Sequence, residues 1–358
     1  MLRKVTYAGA QAASFVQATQ ALEALAETRV SRERVQRWTK RVGAECVAAA
    51  EVQAAAYQAL PLPTRQQSPV AQIPLVACVM MDGGRLQVRA RHATTPSQKG
   101  YWKESLVGCC LSMLSQEHAA DPCPTIPRTF VDPARMADLA REIKGISAAL
   151  PAAEESAQES PADRLGRPEV LVRSVIATRN GPDVLGPRLV AEAHARGFHA
   201  AQRKAFVADG SATNWSVQRQ HFSHYTPILD FTHAVCYIYG AALAGRATAA
   251  GWSDYLQWAQ WLWQGSLDEL IVAVAARSQA LGLPPAGDET SPAALVAKTL
   301  GYLQNQRSRM KYAAYRQQGL PITSSHIEAT IKRLNRRVKG TEKFWDQGAE
   351  PILTLAAA

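Results

Sequence analysis

The sequence predicts an α/β protein, and three observations carry that expectation. Apolar runs of strand length recur between residues 73 and 229. Helical periodicity alone fills residues 1–60 and again 250–318. Two of the strand-length runs end in the same dipeptide, Asp82-Gly83 and Asp209-Gly210.

Residues 1–60 read as helix. Ala12–Glu27 is alanine-rich with Phe15, Ala18, Leu22 and Leu25 at helical spacing. Ser31 caps a second helix over Arg32–Val42, with Val35, Trp38 and Val42 on one face. Prolines and glutamines over Leu60–Pro69 read as a linker. Ile73–Met81 is an apolar run, Arg85–Ala93 alternates, and Gly83-Gly84 between them predicts a hairpin turn. Trp102–Leu114 is a third strand. Pro133–Ile146 is a short helix, and Leu150–Asp163 has loop composition. Val170–Thr178, Lys204–Ala208 and Pro227–Leu229 read as strands. Helices are expected at Pro187–Gly197, Asn214–Phe222, from Asp230 to Leu243, through the insertion 250–318, and over His326–Val338.

The 358 residues are 47% hydrophobic and 20% charged, an ordinary globular balance. No apolar run is long enough to span a membrane. Six cysteines form no C-x-x-C pair, which disfavours a zinc site or a disulfide framework and points to reduced thiols in the cytoplasm. Lys plus Arg number 40 against 30 Asp plus Glu, a net charge of +10, which favours a polyanionic partner.

Asp82 and Asp209 close two strands, where α/β folds place ligand-binding groups. Glu328 heads a late helix whose buried stripe is Ile327, Ile331, Leu334 and Val338, with Glu328, Lys332 and Asn335 beside it. Carboxylates gathered from separate segments, without a Cys or His ligand cluster, suit Mg²⁺ or Mn²⁺. A pair of such ions serves in-line displacement at phosphorus. Each part also has a plainer reading: Asp-Gly as a turn, and Glu328 with Lys332 as an i,i+4 surface pair.

The order of these elements resembles a DDE transposase of a bacterial insertion sequence, nearest the Kra-type group and more distantly the Mutator-like transposases. The segments that carry it are MMDGGRLQVR, YWKESLVG, FVADGSATNW, ILDFTHAVCYIYGAALAG, GLPITSSHIEATIKRLNRRVKGTEKFW and GAEPILTL, spread over roughly residues 74–355. The resemblance implies a ribonuclease-H-like mixed sheet with flanking helices, with Asp82 on the first strand, Asp209 on the fourth and Glu328 on the late helix. It implies two Mg²⁺ (or Mn²⁺) ions held by those acids, strand cleavage and strand transfer on double-stranded transposon ends and target DNA, and a homo-oligomer on DNA. Asp230 and His233 match an accessory Asp-x-x-His element, expected near the same cleft; a capping Asp230 with a buried His233 is the alternative. The family carries serine-glycine ahead of its glutamate, where this chain has Ser324-Ser325-His326. Relatives continue past the position of Ala358, so a shortened or decayed copy that only binds DNA is one alternative. A metal-dependent nuclease on the same fold is another.

The domains expected are 1–60, an N-terminal helical DNA-binding segment resembling a helix-turn-helix; 61–72, a linker; 73–244, the first part of the catalytic core; 245–318, an all-α insertion; and 319–358, the glutamate helix and the end of the core. Arg32, Arg34 and Arg37 would enter DNA from the N-terminal segment. Lys332, Arg333, Arg336, Arg337 and Lys339 would meet the phosphate backbone. A plain basic helical hairpin is the other reading of the first stretch. The remaining histidines read as surface or packing residues, and the protein is expected in the cytoplasm, associated with the nucleoid.

Overall fold

The computed structural model describes residues 1–89, 101–146, 166–338 and 344–358. The expected strand over 85–93, the loop over 150–163, and Lys339 lie partly or wholly outside the described residues.

One mixed sheet organises the chain. Its strands are β1 (Val76–Arg89), β2 (Tyr101–Leu114), β3 (Glu169–Thr178), β4 (Arg203–Ala208), β5 (Thr226–Leu229) and the short β6 (Phe344–Trp345). The spatial order is β3-β2-β1-β4-β5, with β6 on the far end of β1. β1, β2 and β3 are antiparallel neighbours, while β4 and β5 run parallel to β1. An antiparallel pair needs only a short connection. A parallel pair needs a crossover, and α6 (Pro182–Ala195) and α7 (Ala212–His221) precede β4 and β5 respectively.

The hairpin expected at Gly83-Gly84 does not form. β1 runs straight through Asp82, Gly83 and Gly84, which pair with Val107, Leu106 and Ser105. Neither glycine has a positive φ. Pairing with β2 along its whole length holds the segment extended, so tertiary pairing overrides the turn tendency. What glycine supplies at 84 is space: a Cβ there would lie 3.0 Å from Ser105 Oγ and 3.7 Å from a methyl of Ile331.

Both faces of the sheet are covered. Val76 through Met81 are fully buried, as a continuous apolar strand requires. The adjacent thiols illustrate the two-residue period. Cys109 meets Thr330 of α13 (Ser325–Val338), whereas Cys110 meets the Leu189 carbonyl of α6. All six cysteines are free, four of them buried.

The N-terminal helices α1 (Leu2–Gln11), α2 (Phe15–Ala26) and α3 (Arg32–Ala59) pack onto this body, and the single turn α4 (Leu62–Arg65) follows them. α3 runs well past the expected end at Val42. Its Ser31 cap accepts from Arg34 N, as predicted. Val35, Thr39 and Gly43 form its buried stripe: Val35 and Thr39 close on Gly9, and Gly43 lies so near Pro351 of α14 (Asp346–Ala357) that a Cβ would meet backbone. Glu350 of α14 accepts from Thr178 Oγ1 at 2.7 Å, Arg179 N at 2.8 Å and Arg188 Nη1 at 3.0 Å. Removing one partner of so buried a pair strands the other charge, at about 3–5 kcal/mol.

The stretch expected as an all-helical insertion is helical. It comprises α9 (Thr248–Gln264), α10 (Leu267–Leu281) and α11 (Pro292–Gln306), followed by the short α12 (Tyr312–Gln317). Trp258 and Trp263 are buried there. No helix among the described residues is long and apolar enough to cross a membrane.

Candidate functional site

Strand register builds the site. In the parallel pairs, Met81 stands beside Ala208, and Ala208 beside Leu229. The next residue on each strand is an aspartate: Asp82, Asp209 and Asp230. Three carboxylates therefore form a row across three adjacent parallel strands, about 4.8 Å from strand to strand, with Asp209 and Asp230 just past the ends of β4 and β5 and Asp82 midway along β1.

Asp82 and Asp209 line one cavity of about 390 Å³ together with Glu104, Asn214, Ile331 and Asn335. Asn214 ties the end of β4 to β1, donating to Asp209 Oδ1 at 2.8 Å and to the Met81 carbonyl at 3.3 Å. Asp209 Oδ1 also accepts from Ser211 N at 2.9 Å. α11 supports the turn from behind: Tyr302 Oη donates to the Asp209 carbonyl at 3.0 Å and Gln306 to that of Gly210 at 3.2 Å. Gly210, at φ 98°, leaves room for Tyr302, whose ring would sit 2.9 Å from a Cβ. Burial, and next the charge of Asp209, push the Asp82 carboxyl up to about 7; Glu328 pushes the same way.

Asp230 caps α8 (Phe231–Leu243), accepting from Thr232 N at 3.1 Å and His233 N at 3.3 Å. It also meets His233 Nδ1 at 2.6 Å, Ser324 N at 3.1 Å and Ser324 Oγ at 2.9 Å. Burial alone would raise its pKa, but the bonds from His233 and Ser324 outweigh burial and hold it below the usual carboxylate value. For His233, burial works against protonation. The hydrogen bond and charge of Asp230 outweigh it, and the imidazole is held above its ordinary value.

Glu328 stands in the first turn of α13, with Ser324 Oγ at 3.2 Å from its Oε1. Ser324 directly precedes the helix, and its hydroxyl turns to Asp230 and Glu328. Burial, then the charge of Asp230, raise the Glu328 pKa. Lys332 pairs with Glu142 at 2.5 Å, on α5 (Pro133–Lys144), so the expected i,i+4 pair with Glu328 gives way to a contact between helices.

Asp82, Asp209, Asp230, His233 and Glu328 thus share one end of the sheet, with Asp82 feeling the charges of Asp209, His233 and Glu328. They do not close on a single point. Among the described residues, the set whose ligand atoms all lie within 4.8 Å of one another is Asp230, His233 and Glu328. Glu328 borders a second cavity of about 620 Å³, beside Lys332 and Thr232. Local bonds account for the separation: Asp82 Oδ1 turns to Gly83 N at 2.6 Å, and Glu328 turns to Ser324. Asp230 is a poor ligand despite its place in the cluster, because five contacts use the roughly four lone-pair positions of a carboxylate. Asp82, Asp209 and Glu104 around the first cavity, and Glu328 at the second, keep carboxylate oxygens that could meet a hard cation.

The cationic residues divide. Arg34 and Arg37 are exposed on α3, on the side opposite its buried stripe, and Arg32 is exposed at its start. Arg333 and Arg336 are exposed on α13. Arg337 corrects the expectation of a phosphate contact. It is buried, donates to the Gly9 carbonyl at 3.0 Å and lies 4.3 Å over the Phe15 ring. One residue along a helix turns the side chain by about 100°, enough to move it from the surface to the N-terminal helices. His194, His199 and His224 pack with Tyr57 and Tyr225, in keeping with their packing role.

Asn214, Ser324 and Tyr302 were not singled out as site residues from sequence. Asn214 lies inside FVADGSATNW, five residues after Asp209 and in the first turn of α7, where its amide reaches back to Asp209. Tyr302 and Ser324 depend on contacts across the fold. Comparison with protein-family models and with curated proteins finds no match.

Proposed function

We propose that this chain is a DDE-type transposase, cutting and joining DNA strands with divalent cations. The observation that carries the reading is the register that sets Asp82 and Asp209 side by side, one residue beyond Met81 and Ala208. The strand order 3-2-1-4-5, with three antiparallel strands followed by two parallel ones, supports a ribonuclease-H-like core. The glutamate helix lying over Gly84 supports it further.

Asp82, Asp209 and Glu328 would hold the cations, and their all-oxygen donor set suits Mg²⁺ or Mn²⁺. Such ions activate water or a 3′-hydroxyl and stabilise the oxygens of an in-line displacement at phosphorus. The chain's own groups do the positioning. Asn214 fixes the Asp209 carboxylate against β1 at Met81. Asp230 fixes Ser324, and through it the start of α13 and Glu328. His233 commits Nδ1 to Asp230, so Nε2 is the ring atom left to meet a phosphate oxygen. Arg333 and Arg336 offer exposed charge to the duplex backbone, with Arg34 and Arg37 on a separate helix.

The test is cleavage and joining of duplex DNA carrying the sequences that flank the chain's own gene, with Mg²⁺, with Mn²⁺ and with EDTA. The reading expects new 3′ ends and joined products with either ion and none in EDTA. No cleavage with both ions, or equal cleavage in EDTA, would contradict it.

A further inference from the structure

We propose that Lys144 is a substrate-contacting residue of the same centre, its ammonium receiving a non-bridging oxygen of the phosphodiester beside Asp209. The inference rests on the reading of the acids as a phosphoryl-transfer centre. Sequence gives no hint of it: Lys144 is the last residue of a short helix, where a lysine is ordinarily a favourable partner for the helix dipole.

Its surroundings are unlike those of a helix-end lysine. Lys144 Nζ sits 4.0 Å from the centroid of the Tyr237 ring, a cation–π contact. Tyr237 stacks on Tyr302 at 3.9 Å, and Tyr302 Oη holds the Asp209 carbonyl at 3.0 Å. A continuous stack therefore connects the ammonium to the second acid. α8 fixes the other side. His233, Tyr237 and Gly240 follow at i, i+4 and i+7, one face of that helix. Ile146 approaches Gly240 so closely that a Cβ there would lie 2.7 Å from its methyl. That seat holds the end of α5 against the site.

The ammonium is half-buried and feels the charges of Asp209 and Asp230, with Lys298 opposing, yet among the described residues it makes no ion pair within 4.0 Å. A cation held on an aromatic ring, feeling carboxylates but paired with none, matches an anion that enters between them. A phosphodiester is such an anion. Binding there would place its charge between Lys144 and the cations held by the acids.

Two measurements on the full chain test this. In the first, Mn²⁺ alone is titrated calorimetrically into wild type and Lys144→Met. Loss of a like charge facing the acids tightens Mn²⁺ binding about 3–10-fold; unchanged or weaker binding shows that the ammonium does not face them and overturns the inference. In the second, single-turnover cleavage of the flanking-sequence duplex is measured with Mg²⁺. Lys144→Met slows it about 30–100-fold with duplex affinity in Ca²⁺ retained, and Lys144→Arg, which keeps the charge, recovers part of the rate. Equal cleavage by wild type and Lys144→Met overturns the inference alone. A wild type that cleaves nothing, with Mn²⁺ binding still tightened in Lys144→Met, removes the transposase reading and the phosphate contact with it.

Discussion

Asp230 and Ser324, 94 residues apart, are joined twice: the Ser324 backbone N and hydroxyl reach the Asp230 carboxylate at 3.1 and 2.9 Å. This link ties the end of β5 to the start of the glutamate helix, and it sets where Glu328 begins its turn. The same carboxylate caps α8 and meets His233 at 2.6 Å. Asp230 therefore ties β5, α8 and the start of α13 together.

Asp230→Ala is expected to destabilise the fold by about 3–5 kcal/mol, since it strands buried donors on two helices. It should also return the His233 imidazole toward its ordinary pKa. A raised folded-state pKa means that the stability His233 contributes is complete below about pH 6.5 and is lost as pH rises through the raised value. Urea unfolding of wild type and Asp230→Ala, with histidine NMR titration, checks both. An unshifted His233 in Asp230→Ala would show that the pair is not what holds its proton.

Asp82 gives the opposite kind of pH dependence. Its carboxyl is raised from 3.8 to about 7. Between those values the folded state holds a proton that the unfolded state releases, so stability falls as pH rises from about 4 to about 7 and levels off above. Neutralising the group should remove that loss. Asp82→Asn is expected to be more stable than wild type at pH 7.5 in EDTA, by up to about 4 kcal/mol, and to differ little at pH 4. Thermal melts at the two pH values decide it; an Asp82→Asn variant less stable than wild type at pH 7.5 goes against the account.

Arg336 and Arg337 are neighbours in sequence and should differ in function. Arg336→Ala, at an exposed position, should leave stability within about 0.5 kcal/mol and weaken duplex binding on all sequences alike, flattening its salt dependence. Arg337→Met should destabilise the fold by about 1–3 kcal/mol, because it removes a buried bond to the Gly9 carbonyl. On α3, Arg34→Ala and Arg37→Ala should lower discrimination between end and random duplex. Unfolding curves together with anisotropy over a salt series separate these outcomes; equal effects of Arg336→Ala and Arg337→Met on stability would contradict the placement of α13.

Much of the fold was legible because burial writes itself as periodicity. β2 was expected at Trp102–Leu114 and forms over Tyr101–Leu114; β4 was expected at Lys204–Ala208 and forms over Arg203–Ala208. What failed was local chemistry overruled by distant pairing. Asp82-Gly83-Gly84 has the composition of a turn, yet it lies inside a strand because β2 pairs with it throughout. The length of α3 was missed because its later turns are alanine-rich and weakly patterned, and their partners are Pro351 and α6, far along the chain. In the site, Asp82, Asp209 and Glu328 stand out together through the resemblance, since Asp-Gly alone is an ordinary turn dipeptide. Lys144, Asn214 and Ser324 do not, since their roles lie in neighbours that only the fold brings together.

The central claim is that Asp82, Asp209 and Glu328, from three separate segments, act as one cation-dependent centre. Single-turnover cleavage of the flanking-sequence duplex in Mg²⁺ tests it most directly, measured for wild type, Asp82→Ala, Asp209→Ala and Glu328→Ala, with duplex affinity in Ca²⁺ measured alongside. The account predicts that each substitution removes cleavage by at least about 100-fold while duplex affinity stays within about 3-fold of wild type. Retention of the wild-type rate by any one of the three variants would contradict it.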